Sequence, residues 1–134
     1  MGLAAKLADE SLERAQNEYV SSLRDYFINK VIEDIDDAVL NGAVVTRLPN
    51  NISFTFKGVA AQSAVGLLSD VGVYCSAGSA CNNGDPSPSH VLTAIGKTAD
   101  EAKSTLRFTI DENTTKEDID YAVHMIKTIV DLLR

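Results

Sequence analysis

Cys81 is the side chain of this sequence best suited to covalent chemistry. It follows Ser79 and Ala80, and the residues after it include Gly84 and Pro86. Small neighbours and turn-forming residues predict an exposed loop rather than a packed core position. The thiolate is the nucleophilic form of cysteine, and no lysine or arginine lies next to Cys81 to favour it. We therefore expect the activating group to come from elsewhere in the fold or from a bound substrate.

Two further residues could act with this thiol. Cys75 follows the apolar pair Val73-Tyr74, so it is either a small core residue or a redox partner of Cys81. His90 lies nine positions after Cys81 and is either its general base or a plain polar contact. The histidine of the last helix, His124, falls beside an apolar stripe and is expected to be solvated.

Arg107 is a charged residue inside a predicted strand. It stands between Leu106 and Phe108, so its side chain should leave the sheet on the opposite face. A charged strand residue often marks only the solvated face. The alternative is a clamp for a carboxylate, because a guanidinium offers two parallel donors in one plane. The pattern alone leaves both interpretations open.

The elements that must position these residues begin with a long helix. Helical spacing of apolar residues predicts it from Gly2 to about Asp37. Two strands are predicted after the Asn41-Gly42 turn, at Ala43–Arg47 and at Ile52–Lys57. A helix over Ala60–Asp70 should then end at a glycine, Gly72.

The second half of the chain is predicted to alternate short elements. We expect a short strand at Val73–Tyr74 and a helix that starts at Pro88 and runs to Ile95. A third strand alternates at Leu106, Phe108 and Ile110. A capping box of Thr114 and Glu117 should start a final helix that ends at Leu133. Together these elements predict one α+β domain over residues 1–134, a two-layer sandwich of a small sheet covered by helices.

Composition limits the function classes. The chain has 12 Lys plus Arg against 19 Asp plus Glu, a net charge of -7, and the basic residues are scattered, so nucleic acid is not an expected partner. Two cysteines with five residues between them match no common zinc or disulfide framework. We see no membrane-spanning run and no secretion signal, and expect a cytoplasmic protein.

Several spaced motifs resemble one family, the pyridoxal-phosphate-dependent cysteine desulfurases of the NifS-like group I, within the class V aminotransferases. The motif Ser-Ala-Gly-Ser-Ala-Cys at 76–81 is similar to that of their catalytic cysteine. Similar stretches occur in the same order at 47–54, 88–92, 106–109 and 113–115. The resemblance covers nearly the whole chain. It implies the C-terminal small domain of such an enzyme, with the first helix as the connector to an absent large domain.

The resemblance also implies roles for individual residues. Cys81 would take the sulfur of L-cysteine as a persulfide, leaving L-alanine, and Arg107 would hold the substrate carboxylate. Ser79 and His90 would support the site. The residues that bind pyridoxal phosphate would lie in the absent domain, so this chain alone should neither bind the cofactor nor turn over. A sulfur acceptor or iron-sulfur scaffold protein would be the partner, and the whole enzyme would be a homodimer.

Two other interpretations stay open at this stage. A related selenocysteine lyase would share the same motifs. A freestanding binding or scaffold module could instead use Cys75, Cys81 and His90 for a metal ion or for sulfur carriage, although metal sites usually need three or four closely spaced ligands.

Overall fold

The computed structural model describes residues 1–13, 16–78 and 88–134. Six helices and four strands lie within these ranges. In chain order they are α1 Gly2–Glu13, α2 Gln16–Asp34, β1 Ala38–Leu40, β2 Asn51–Phe56, α3 Ala61–Asp70, β3 Ser76–Ala77, α4 His90–Ala94, α5 Ala99–Lys103, β4 Thr105–Thr109 and α6 Lys116–Leu133. The long predicted helix is thus described as two segments, and whether they are continuous lies outside the described residues.

The four strands form one antiparallel sheet in the order β1-β2-β4-β3. Ile52 of β2 faces Phe108 of β4, and Phe54 faces Leu106. Because side chains alternate along a strand, this register puts the predicted apolar residues of both strands on one face. The fold is therefore α+β, with a small antiparallel sheet and helices.

The hydrophobic core lies on that face of the sheet. Ile52, Phe54, Phe56 and Leu106 are fully buried, and the Phe27 ring of α2 lies 5.3 Å from the Phe108 ring. Helix α6 packs on α2 and α3 and contributes the residues that its spacing predicted: Ile119, Val123, Ile126 and Val130. The amphipathic pattern of the last helix is confirmed.

The end of α3 confirms the predicted glycine stop. Gly72 has a φ of 80°, which a residue with a Cβ rarely adopts, and its amide donates to the Ser69 carbonyl at 3.0 Å. The Val73 amide reaches back to the Leu68 carbonyl at 2.9 Å. This pair of bonds is the Schellman motif, which satisfies carbonyls left free at a helix end.

The predicted strand at Ala43–Arg47 is wrong. Those residues form a bent loop, and the strand before β2 is instead Ala38–Leu40. Pairing ends at Asn41, whose amide donates to the Ser53 carbonyl at 2.9 Å before Gly42 turns the chain away with a φ of 79°. Consecutive β-branched residues are typical of a strand, but this segment pairs with no strand among the described residues.

Several boundaries differ from the prediction by one or more residues, among them those of the short strand, of α4 and of α6. The short strand lies at Ser76–Ala77, because these residues and not Val73–Tyr74 pair with β4. Helix α4 begins at His90 behind Ser89, so Pro88 lies outside it.

The capping box of α6 is Thr115 with Asp118, one residue later than predicted. The Thr114 hydroxyl is engaged with the Asp111 carboxylate at 3.2 Å instead, so it is not the cap of the helix. In the part of the chain that the structure describes, no helix has the length and apolarity needed to span a membrane.

Candidate functional site

Arg107 lies in the middle of β4 and points away from the core. Its neighbours Leu106 and Phe108 are buried on the core face, whereas Arg107 is exposed on the other. Two cross-strand partners flank it, Ser53 of β2 and Ser76 of β3. The alternation along the strand predicted this orientation, and the prediction is confirmed.

A pocket of about 330 Å³ opens at Arg107. We call it the Arg107 pocket; it is lined by Asn41, Gly42, Asn51, Ser53, Gly78, Ser89, Val91, Leu92, Ile95, Thr105 and Arg107. Arg107 is the one charged residue in this set, in a chain whose net charge is -7. The described lining residues place no carboxylate beside this guanidinium and form part of the wall with apolar side chains, which favours an anionic ligand.

Buried polar groups support the floor of the pocket. The Asn41 carboxamide lies 3.2 Å from Ser53 Oγ and 3.1 Å from Thr55 Oγ1. Thr55 Oγ1 lies 2.8 Å from Thr105 Oγ1, which in turn lies 2.7 Å from the Glu101 carbonyl oxygen. A connected set of hydrogen bonds therefore runs from Ser53, in the pocket, to helix α5.

Two arginines hold the loop between β1 and β2. Buried Arg24 donates from Nη1 to the Leu48 carbonyl at 3.1 Å and pairs with Asp25 at 2.8 Å. Arg47 donates to the Ala43 carbonyl at 2.9 Å and to the Asn41 carbonyl at 2.5 Å. Burial, together with the nearby Arg24 charge, lowers the pKa of Arg47. These bonds fix the segment that carries Asn41 and Gly42 into the pocket.

Cys75 is a half-buried free thiol packed against the hydrophobic core. Burial raises its pKa to about 11, since the charged thiolate loses solvation there. The interpretation of Cys75 as a small core residue is therefore supported. Its pairing with Cys81 lies outside the described residues.

The other predicted site residues have different outcomes. His90 is exposed at the start of α4 and does not line the Arg107 pocket, whereas its neighbour Ser89 does. His124 is exposed on α6, as expected. Cys81 and Ser79 lie outside the described residues, although Gly78, the last residue before them, lines the pocket.

Sequence reasoning missed Asn41, Ser53, Thr55 and Thr105. The signal for two of them was present, because Ser53 and Thr55 alternate with Ile52, Phe54 and Phe56 and must face away from the core. Nothing in the sequence indicated which distant groups they meet.

A metal ion or a cofactor needs particular side chains close together to hold it. No group of three His, Cys, Asp or Glu among the described residues could hold a metal ion. Pyridoxal phosphate is bound through a Schiff-base lysine, with an Asp or Arg beside its pyridinium nitrogen. No lysine is among the described residues that line the Arg107 pocket, so this pocket does not supply that set.

The comparisons with known proteins agree with one another. The model of the aminotransferase class-V family matches residues 1–122. The cysteine desulfurase IscS of Dictyoglomus turgidum is 42% identical over all 134 residues, which correspond to 34% of that protein. The IscS of Ectopseudomonas mendocina is 37% identical over the whole chain and 32% of its own length.

A solved structure has the same fold. The NifS-like protein from Rickettsia africae superposes on 97% of this chain with a TM-score of 0.81 and 25% identity, over 33% of its own length. The chain thus spans about a third of the length of these relatives. Because the family model matches most of its residues, the chain belongs to the aminotransferase class-V family.

Proposed function

We propose that this chain is the C-terminal small domain of a pyridoxal-phosphate-dependent cysteine desulfurase. Relatives that bear this activity in their names are 37–42% identical over the whole chain. In this proposal Arg107 binds the carboxylate of L-cysteine and Cys81 accepts its sulfur.

The observation that carries the proposal is the charge of the Arg107 pocket. Among the described residues, Arg107 is the one charged residue that lines it, and none of them places a carboxylate there to compete with a ligand for the guanidinium. A carboxylate can bind the two parallel N–H groups of the guanidinium fork, and such charge-assisted bonds are stronger than neutral ones.

Chain connectivity supports the place of Cys81. Residues 79–87 join Gly78 to Pro88, and both Gly78 and Ser89 line the Arg107 pocket. The segment that carries the thiol therefore leaves and returns beside the substrate anchor. Cys75 is a poor second nucleophile, because burial raises its pKa to about 11 and keeps it protonated at neutral pH.

The proposed reaction transfers one sulfur atom from L-cysteine to Cys81. The Cys81 sulfur bonds to the sulfur of L-cysteine, and the carbon–sulfur bond of the substrate breaks. Its electron pair stays with the carbon, which takes up the proton released by the Cys81 thiol and becomes the methyl group of L-alanine. The products are L-alanine and a persulfide on Cys81. Pyridoxal phosphate would supply the electron sink for this cleavage, and we place the groups that hold it in the rest of the protein.

The finer architecture belongs to the same proposal. We propose a two-layer arrangement in which the core face of the sheet is covered by α2, α3 and α6, with α1 and α2 as the connector to a large domain. The whole enzyme would be a cytoplasmic homodimer that passes sulfur to an acceptor or iron-sulfur scaffold protein. Ser79 and His90 stay predicted supporting residues.

Steady-state kinetics of the whole protein tests the proposal. L-Alanine formed from L-cysteine is measured for the wild type and for Arg107→Ala. Loss of a charge-assisted carboxylate contact, worth about 1.5–3 kcal/mol, should raise KM by roughly one to two orders of magnitude. The control is Lys103→Ala, an exposed cation in the neighbouring cavity. An unchanged KM in Arg107→Ala, or a wild type that forms no L-alanine, would contradict it.

A further inference from the structure

Ser53 shares the Arg107 pocket and lies directly across the sheet from Arg107. Cross-strand partners present their side chains on the same face, with Cβ atoms about 5 Å apart. A ligand held by Arg107 therefore meets the Ser53 hydroxyl. What that hydroxyl can offer, a proton or only lone pairs, depends on its contact with Asn41.

The groups behind Ser53 are buried. Asn41, Thr55 and Thr105 are 4%, 2% and 2% exposed. Their three contacts, of 3.1, 2.8 and 2.7 Å, link the Asn41 carboxamide through both hydroxyls to the Glu101 carbonyl oxygen. Each of these contacts needs one proton, which must come from the residues themselves.

The protons can be counted. With Asn41 Oδ1 toward Thr55 and Nδ2 toward Ser53, the two threonine hydroxyls hold two protons for three oxygen–oxygen contacts. One of the three contacts would then bring two oxygen atoms together with no proton between them. A half-turn of the carboxamide, which leaves its shape unchanged, supplies the missing proton from Nδ2. Asn41 then donates to Thr55, Thr55 to Thr105, and Thr105 to the Glu101 carbonyl.

The same half-turn changes Ser53. Asn41 Oδ1 now faces Ser53 Oγ at 3.2 Å and takes its one proton. We propose that Ser53 offers lone pairs rather than a proton to the pocket, and so selects ligands that carry a hydrogen-bond donor beside the carboxylate bound by Arg107. An α-amino acid meets this requirement with its ammonium group, and a simple carboxylate does not. The inference rests on the proposed function and deepens it, since L-cysteine and L-alanine are both α-amino acids.

The test compares L-alanine with propionate, which has the same carbon skeleton and no ammonium group. Both are titrated into the 134-residue chain while the Arg107 Nε–H signal is followed by NMR. A hydrogen bond from a charged donor predicts that L-alanine binds about tenfold more tightly. Equal affinities would overturn the inference.

Variants assign the preference to Ser53. Ser53→Ala should lower L-alanine affinity to that of propionate and leave propionate unchanged, whereas the exposed Thr109→Ala should change neither. Thr55→Val removes the acceptor of the Asn41 amide, which can then turn and release the Ser53 proton to the pocket. Propionate should bind more tightly in that variant. A preference for L-alanine that persists in Ser53→Ala would contradict the role of Ser53.

Amide orientation can be read in the wild type, independently of any variant that folds poorly. The Asn41 Nδ2 protons should show nuclear Overhauser contacts to the Thr55 methyl group and not to the Ser53 β-protons; the reverse pattern would overturn the proton count. These outcomes do not depend on desulfurase activity. If the whole protein forms no L-alanine but the chain prefers the amino acid, the proposed function fails while the Ser53 assignment holds.

Discussion

The two faces of the sheet use the same strands for different purposes. On one face Ile52, Phe54 and Leu106 are fully buried against helices. On the other face Ser53 and Arg107 line a pocket. Each core residue needs only a neighbour of suitable size, whereas each polar residue needs a partner with the right proton at the right distance. Mutations on the two faces should therefore differ in kind as well as in size.

The largest effect is expected on the core face. Phe54→Ala should lower the free energy of unfolding by about 3–5 kcal/mol, because it removes a fully buried ring and leaves a cavity. Urea unfolding of the chain measures it. Val45→Ala, at a side chain that is 87% exposed, is the control and should change stability by less than about 0.5 kcal/mol. Similar losses of stability in both variants would contradict the claim that burial of Phe54 on the core face stabilises the fold.

A smaller loss is expected at the buried polar groups. Thr55→Val keeps the shape of the side chain but removes the hydroxyl between Asn41 and Thr105. Leaving one buried polar group of the Asn41 carboxamide without a partner should cost about 1–3 kcal/mol in the same unfolding measurement. Thr109→Val, at an exposed position of the same sheet, should be nearly neutral. A neutral Thr55→Val would show that the hydrogen bonds behind the pocket do not stabilise the fold.

Cys75, on the core side of the sheet, should make the stability of the fold depend on pH. Its pKa is raised from 9.0 to about 11 by burial, so between these values the unfolded chain loses a proton that the folded chain keeps. Stability should therefore fall as pH rises from 9 to 11. Because the thiol is only half-buried, we expect the change to stay near or below about 1 kcal/mol. Cys75→Ala should lose this component of the pH dependence. If its stability depends on pH as that of the wild type does, burial does not raise the pKa of the Cys75 thiol.

The smallest effect on stability is expected at Arg107. The side chain is exposed on the face of the sheet away from the core, so Arg107→Ala should change the free energy of unfolding by less than about 0.5 kcal/mol. The same substitution should still weaken substrate capture. A large loss of stability would mean that the residue has a structural role, and the kinetic effect could not then be assigned to the pocket.

Sequence patterns predicted the core face better than the pocket. The alternation of Ile52, Phe54 and Phe56 predicted that these side chains of β2 are buried, and the alternation of Leu106 and Phe108 placed Arg107 on the opposite face of the sheet. Wrong elements occurred where long-range pairing decides the structure, as at Ala43–Arg47. Val44 and Val45 are β-branched, but the chain beyond Asn41 is held by Arg24 and Arg47 in a loop.

The hydrogen-bond partners behind the pocket could not be predicted from the sequence for a related reason. Thr55 and Thr105 are 50 positions apart, and Asn41 and Ser53 are 12 apart. Only the register of β2 against β4, and the last bond of β1, bring them together. Hydroxyl and amide side chains occur throughout exposed loops as well, so their identity alone carries no information about a partner.

The most direct test of the central claim is the location of the transferred sulfur. The whole protein is incubated with L-cysteine, alkylated and digested, and the peptides that contain Cys75 and Cys81 are analysed by mass spectrometry. We predict one additional sulfur on Cys81 and none on Cys75, and we predict that Cys81→Ser carries none and forms no L-alanine. Additional sulfur on Cys75, or L-alanine formed by Cys81→Ser at the wild-type rate, would contradict the assignment of Cys81 as the sulfur acceptor.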